Sequence, residues 1–144
     1  MVYIWGPSFS PDGRWISFHV AETGLESRRA YIAPFREDMS LGEKDWIPIA
    51  ADSAQQTRWS PDGNLLYYLS ARDGFVCLWA QRLEPATKRP AGSPFAVYHS
   101  HSAARAIRNV GDYSKRMSVV RGKILLTLGE KSSNIWMTEL PLPK

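Results

Sequence analysis

FSPDGR at residues 9–14 returns as WSPDGN at residues 59–64, fifty positions downstream. Each copy reads aromatic, Ser-Pro-Asp-Gly, one polar residue, then an apolar run. The physics of the stretch is that of a tight turn. Proline holds φ near −65° at the first central position, aspartate tolerates the next and bonds to nearby backbone, and glycine accepts positive φ without a Cβ clash. The aromatic residue ends one strand, and residues 15–20 and Leu65–Ser70 form the next. Five matched positions at a fixed offset make this an internal repeat of about 50 residues built on an aromatic-ended hairpin.

Further strands follow in both copies. Residues 29–35 (RAYIAPF) correspond to residues 75–83 (FVCLWAQRL), with residues 22–28 and 71–74 as connections. Residues 46–50 (WIPIA) and Phe95–Tyr98 are short outer strands. Pro48 cannot donate to a ladder, which places its strand at a sheet edge. Residues 83–94 (LEPATKRPAGSP) are too rich in proline for a helix and read as an exposed connection; residues 37–44 form another polar loop. Leu65-Leu66-Tyr67-Tyr68-Leu69 is apolar at successive positions, as in a strand buried on both faces. Residues 15–20 alternate instead, with Ile16, Phe18 and Val20 opposite Trp15, Ser17 and His19, which places the first unit nearer an exposed end.

A third copy lacks the Ser-Pro-Asp-Gly signature. Met117–Val120, a turn at Arg121-Gly122, residues 123–128 and residues 134–140 (NIWMTEL) are its expected strands, with Trp136 in the role of Trp79. No fourth strand is evident. The expected core comprises Trp15, Phe18, Trp59, Leu66, Tyr68, Val76, Leu78, Trp79, Ile124, Leu126, Ile135 and Trp136. Units of about 50 residues with four short antiparallel strands are blades of a β-propeller, since a single blade cannot bury either of its two apolar faces. The expected fold class is therefore all-β, a partial β-propeller of about three blades spanning residues 1–144, with repeats at about 6–50, 51–100 and 101–144. Three blades do not close a ring. Val2-Tyr3-Ile4-Trp5 reads as a spare strand before the first hairpin, able to serve as the missing outer strand of the last blade. Between two copies that exchange would close a six-bladed ring.

On FSPDG (residues 9–13) and WSPDG (residues 59–63) the sequence resembles the TolB-like, or WD40-like Pro-Asp, β-propeller repeats. The stretch WSPDGNLLYYLSARDGFVCLWAQRL and the ending NIWMTEL look like the C-terminal propeller portion of large bacterial proteins, including some Ser/Thr kinases. The resemblance implies an interaction module, or a domain beside a protease or kinase domain, within a larger propeller-containing protein. The kinase chemistry itself does not carry over: the chain has no Gly-rich nucleotide loop with its lysine, no His-Arg-Asp loop and no Asp-Phe-Gly.

Composition narrows the remaining classes. The chain is 44% hydrophobic and 22% charged, enough apolar content for a packed core and too little charge for a disordered chain. Its net charge of +4 is spread over pairs such as Arg28-Arg29, Lys88-Arg89 and Lys115-Arg116. A nucleic-acid surface needs a concentrated basic footprint, so no nucleic-acid partner is expected. The N-terminus carries no signal-peptide pattern, and no apolar run approaches the roughly 20 residues of a membrane span.

Site chemistry is sparse. His99 and His101 are two apart and share one face of an extended chain, with Tyr98 and Asp112 as neighbours to consider. Two histidines do not complete a zinc shell, and surface or turn polarity is the simpler reading. Cys77, the single cysteine, lies between Val76 and Leu78 and reads as a small buried hydrophobe. Asp12 and Asp62 precede glycines and belong to turns rather than to a carboxylate pair. No Gly-x-Ser-x-Gly elbow occurs. No catalytic, cofactor-binding or metal-binding residue is assigned, and no cofactor is implied. The expected function is a non-catalytic protein-interaction or assembly module. It would act as a homo-oligomer, a dimer in the simplest case, or with a protein or peptide partner. The alternative is an accessory ligand-binding or substrate-gating domain of an enzyme.

The repeated turn yields the first prediction. Gly13→Val or Gly63→Val forces a β-branched residue into positive φ and should cost about 1–3 kcal/mol in urea unfolding. Unchanged midpoints would remove the turn geometry from the account.

Overall fold

A computed structural model describes residues 2–22, 28–37, 42–50, 53–111, 114–135 and 137–138. The first sheet contains β1 (Val2–Phe9), β2 (Trp15–Glu22), β3 (Arg28–Pro34) and β4 (Ile47–Ala50); the second contains β5 (Ala54–Trp59), β6 (Leu65–Ser70), β7 (Cys77–Arg82) and β8 (Phe95–Tyr98). Both are antiparallel with strands in sequence order, β1-β2-β3-β4 and β5-β6-β7-β8. A third unit consists of a hairpin, β10 (Met117–Val120) with β11 (Lys123–Leu126), and a two-residue pair of β9 (Arg105–Ala106) with β12 (Gly129–Glu130). The chain is all-β, with short 3-10 segments such as Glu43–Asp45 and Ile107–Asn109 among the described residues, and the sheets have the arrangement of a partial propeller.

The repeated turns explain why the sheets are alike. Gly13 and Gly63 both have φ of 69°. The Ser10 hydroxyl donates to Asp12 at 2.6 Å and accepts the Trp15 N–H at 3.0 Å. Ser60 does the same with Asp62 and the Leu65 N–H, at 2.5 and 2.9 Å. Each aspartate also accepts the backbone N–H two residues on, at 3.1 Å. The motif therefore carries its own hydrogen-bond partners into both hairpins.

The sheets also share irregularities that composition does not show. The β1–β2 register slips between Trp5 and Ser8, and the β5–β6 register between Gln55 and Arg58. At the repeat-equivalent positions, Gly6 and Gln56 both have φ of 58°. A Cβ on Gly6 would stand 3.0 Å from the His19 ring, so glycine answers both the conformation and the space there. A second pair of slips falls between Ala30 and Tyr31 and between Leu78 and Trp79. Such bulges strengthen the local twist, and here they recur as part of the blade.

Two expectations need correction. Val2-Tyr3-Ile4-Trp5 is not a spare strand: Val2 pairs with Glu22, Tyr3 with Ala21, Ile4 with Val20 and Trp5 with His19. The bulge at Gly6 breaks the strand pattern in sequence without ending the strand, so residues 2–5 have a sheet of their own, at its edge. The expected strand at 134–140 is not formed by residues 134, 135, 137 and 138, and Ile135 and Met137 are fully exposed. Trp136, 139 and 140 lie outside the described residues. The pairing goes instead to Gly129–Glu130, where a Cβ on Gly129 would meet the Asn109 backbone at 2.7 Å. Beyond this point the described residues, 131–135, 137 and 138, are exposed.

Apolar layers alternate with sheets. Phe18, Val20 and Ala33 pack with Ile16, Tyr31 and Trp46 on the outer face of the first sheet. Ala30, Ile32 and Ile49 meet Ala54, Trp59, Leu66, Tyr68 and Leu83 between the two sheets. Leu69, Leu78, Ile107 and Met117 join the second sheet to the third unit, with Val76, Ile124 and Leu126 half-buried beside them. Trp15 and Trp79 are half-buried against the middle layer. The connection at 83–94 is less exposed than its prolines suggest. Lys88 is buried and donates to the Gly63 carbonyl at 2.8 Å, folding the loop over the second repeated turn.

The alternation of β2 has an unexpected consequence. Its polar face points into the molecule, where Ser17 is fully buried and bonds the Thr57 hydroxyl at 3.0 Å. His19 is buried on the same face. Burial, then the charges of Arg28 and Arg58, lower its pKa from 6.5 to about 4. Between those values the unfolded chain binds a proton that the folded chain does not. The stabilisation is therefore complete above pH 6.5 and lost as pH falls towards 4, by on the order of 2 kcal/mol. His19→Leu, matching Leu69 in the second repeat, should remove that part of the acid sensitivity in urea titrations at pH 7 and pH 4.5. An identical pH dependence in the variant would refute the assignment.

Candidate functional site

The segment after β8 and the turn between β6 and β7 meet at one corner of the second sheet. Asp73 lies in that turn, Cys77 begins β7, and His99 and His101 follow β8. One donor atom from each of the four lies within 4.8 Å of the others. The Asp73 Oδ2 atom is 3.3 Å from His99 Nδ1 and 3.1 Å from His101 Nε2, and the two ring nitrogens are 3.3 Å apart. Among the described residues this is the group of His, Cys and acidic side chains that could hold a metal ion.

Each member is held by neighbours. The Phe75 N–H donates to Asp73 Oδ1 at 3.2 Å, leaving Oδ2 towards the histidines. Burial raises the Asp73 pKa, but the bonds from His101 and the Phe75 N–H outweigh it and hold the carboxyl below its ordinary value. The Ser100 N–H donates to Cys77 Sγ at 3.2 Å. The His101 ring lies 4.4 Å from Phe75, and His99 meets Trp79 edge-on at 6.0 Å. Arg72 and Arg108 stand over Trp79 and Phe75 respectively.

The shared face of His99 and His101 was legible from their spacing; Asp73 and Cys77 were not. They are 22 or more positions away and reach the histidines through the β6–β7 turn and the β7–β8 pairing. The only signal was the Asp73-Gly74 turn. Tyr98 instead lines an apolar groove with Val97, and Asp112 lies outside the described residues. Asp12 and Asp62 stay in their turns as ionised acceptors. The Ser10 hydroxyl, the Arg14 N–H and the Arg14 guanidinium hold Asp12 down to about 2, and Ser60 then the Asn64 N–H lower Asp62.

Two concavities flank the third unit. One, of about 370 Å³, is lined by Leu78, Val97, Tyr98, Ile124, Leu125, Leu126 and Leu128, with Leu125 76% exposed. The other, of about 480 Å³, lies at the repeated-turn end between Phe9, Trp59 and Val119, and takes in Arg58 and Arg121. No helix among the described residues is long and apolar enough to cross a membrane.

Cys77 is fully buried, and burial raises its thiol pKa despite the Ser100 N–H. Its reaction with an aromatic disulfide reagent should be slow in the native chain and fast in denaturant. Rapid native labelling would contradict its placement.

No protein-family model matches the sequence, and no curated protein does. The fold is similar to the crystal structure of puromycin hydrolase, with a TM-score of 0.61 and 22% identity over 88% of this chain and 19% of that one. The chain therefore spans about a fifth of the length of that protein, and the likeness is one of fold.

Proposed function

We propose that this chain is a TolB-like section of a larger or assembled β-propeller and works as a non-catalytic interaction and assembly module. The observation that carries the reading is the shallow, mainly apolar groove between β8 and β11, where every lining side chain is aliphatic or aromatic. Leu125, Val97 and Tyr98 are exposed in it. Such a surface offers protein contact. Of its lining side chains only Tyr98 carries a polar group, its hydroxyl, which is too little to orient a small substrate. The occupant is a second copy of this chain. The aliphatic face at β11 is left uncovered, and the chain's own blades already pack face to face through layers of this chemistry. The contact is between blade faces, without exchange of residues 2–5.

A second reading is an accessory ligand-binding or substrate-gating domain of an enzyme. It is favoured by the concavity that gathers Arg58 and Arg121, and by a match to about a fifth of puromycin hydrolase. In that setting the chain would stand beside a catalytic domain and select an anionic ligand.

Light scattering after size exclusion separates the two. The chain should run as a dimer or larger at high micromolar concentration, and Leu125→Glu, a change at an exposed position, should shift it to monomer with its circular dichroism unchanged. A monomer at every concentration would overturn self-assembly, and hydrolysis of puromycin by the chain alone would overturn the non-catalytic role.

A further inference from the structure

The three contacts among Asp73, His99 and His101 at the corner of the second sheet cannot all be hydrogen bonds. Asp73 Oδ2, His99 Nδ1 and His101 Nε2 form a triangle with sides of 3.1, 3.3 and 3.3 Å. Each ring nitrogen carries at most one proton. If both donate to the carboxylate, the two nitrogens face each other as N–H against N–H. If one donates to the other, the acceptor nitrogen turns a lone pair towards the carboxylate oxygen. A proton network leaves one side of the triangle unfavourable in either arrangement. A cation between the three atoms makes all of them favourable at once.

The dimensions point the same way. Zinc bonds nitrogen and carboxylate oxygen at about 2.0–2.2 Å, so two ligands at a tetrahedral angle stand roughly 3.3–3.6 Å apart. The three sides come within about 0.2 Å of the lower bound. The Cys77 sulfur is the fourth donor, and all four donor atoms lie within 4.8 Å of one another. Sulfur and nitrogen stand about 3.6 Å apart in a tetrahedral zinc shell, so the set draws together as the ion enters. We propose that Asp73, Cys77, His99 and His101 bind one divalent zinc-class cation, which ties the β6–β7 turn to the segment following β8.

The chemistry of the donors favours this class. Thiolate with imidazole selects a borderline-soft ion over calcium or magnesium, which prefer shells of oxygen ligands. Four protein donors fill a tetrahedral shell, so the site is structural rather than hydrolytic. Its outer contacts are already in place: the Ser100 N–H on the sulfur, the Phe75 N–H on the second carboxylate oxygen, the Phe75 ring beside the His101 imidazole and Trp79 edge-on to that of His99. The histidines are about half exposed, at 55% and 47%, which leaves a route for the ion to enter from solution. Binding forms an Sγ–metal bond as Cys77 releases its thiol proton to water, while both imidazoles enter neutral and Asp73 ionised.

The test uses the full chain, freed of any purification tag, stripped with a chelator and checked for folding by circular dichroism. Calorimetric titration with zinc alone should show one equivalent bound per chain and a higher melting temperature. Cobalt(II) should give tetrahedral d–d absorption with a thiolate charge-transfer band. His101→Gln, an exposed change that leaves the sheet intact, should weaken zinc by at least about 100-fold. Cys77→Ser should abolish the charge-transfer band. The proposal is overturned by no binding at micromolar zinc, by unchanged affinity in His101→Gln, or by a six-coordinate cobalt spectrum lacking the thiolate band.

Discussion

A four-stranded sheet with two apolar faces cannot be stable until something covers both, and in this chain β5 is where that requirement is met. The Trp59 indole N–H donates to the Ser8 carbonyl of the first sheet at 3.0 Å, and Arg28 reaches Gln55 at 2.7 Å. On the other side, Arg58 donates to the Met117 carbonyl of the third unit at 3.0 Å. A single strand thus joins the second sheet to both neighbours. Ordinary alternation along that strand sends Thr57 and Trp59 towards the first sheet and Arg58 between them towards the third unit. A buried tryptophan contributes about 3–5 kcal/mol, a large share of the stability of a domain this size. Much of the arc depends on Trp59 and its layer.

The same requirement explains why the sheets are regular and the third unit is not. Between sheets, Leu66 and Tyr68 are fully buried because another blade faces them. At the free end no sheet faces β11, so Leu125 is left in solvent and the chain beyond β12 makes no further ladder among its described residues. At the other end the first sheet covers its own face. Phe18 stacks on Tyr31 and meets Trp46 edge-on at 5.0 Å, Trp46 arriving from the approach to β4. The two ends of the arc therefore differ in chemistry. One is closed by aromatics of its own blade, and the other is an open aliphatic groove.

That groove and the histidine cluster lie on the two sides of one segment. Tyr98 turns towards Leu125 and Leu126, while His99 and His101 turn back to Asp73. A cation at the cluster would fix the backbone from which Val97 and Tyr98 project, and so set the shape of one wall of the groove. The groove uses the end of β8 and the histidine cluster the residues just after it.

Much of the fold was legible in sequence because its information is local. Ser-Pro-Asp-Gly dictates φ and supplies its own acceptor within a few residues, so the hairpins, the repeat of 50 residues and strands such as Leu65–Ser70 could be read directly. Pro48 announced an edge strand, since it cannot donate to a ladder on both sides. What depended on distant partners was not legible. The polar residues Ser17 and His19 look like an exposed face until Thr57 and the second sheet are placed against them. Val2-Tyr3-Ile4-Trp5 looks detached because a bulge at Gly6 interrupts the pattern while the ladder continues. Asp73 and Cys77 join His99 and His101 only through the register of β7 with its neighbours. Sequence by itself determined the repeated hairpins and the all-β class, because turn chemistry acts over four or five residues. Only the tertiary structure decided which faces are buried and which donors converge, because burial and convergence are set by what packs opposite.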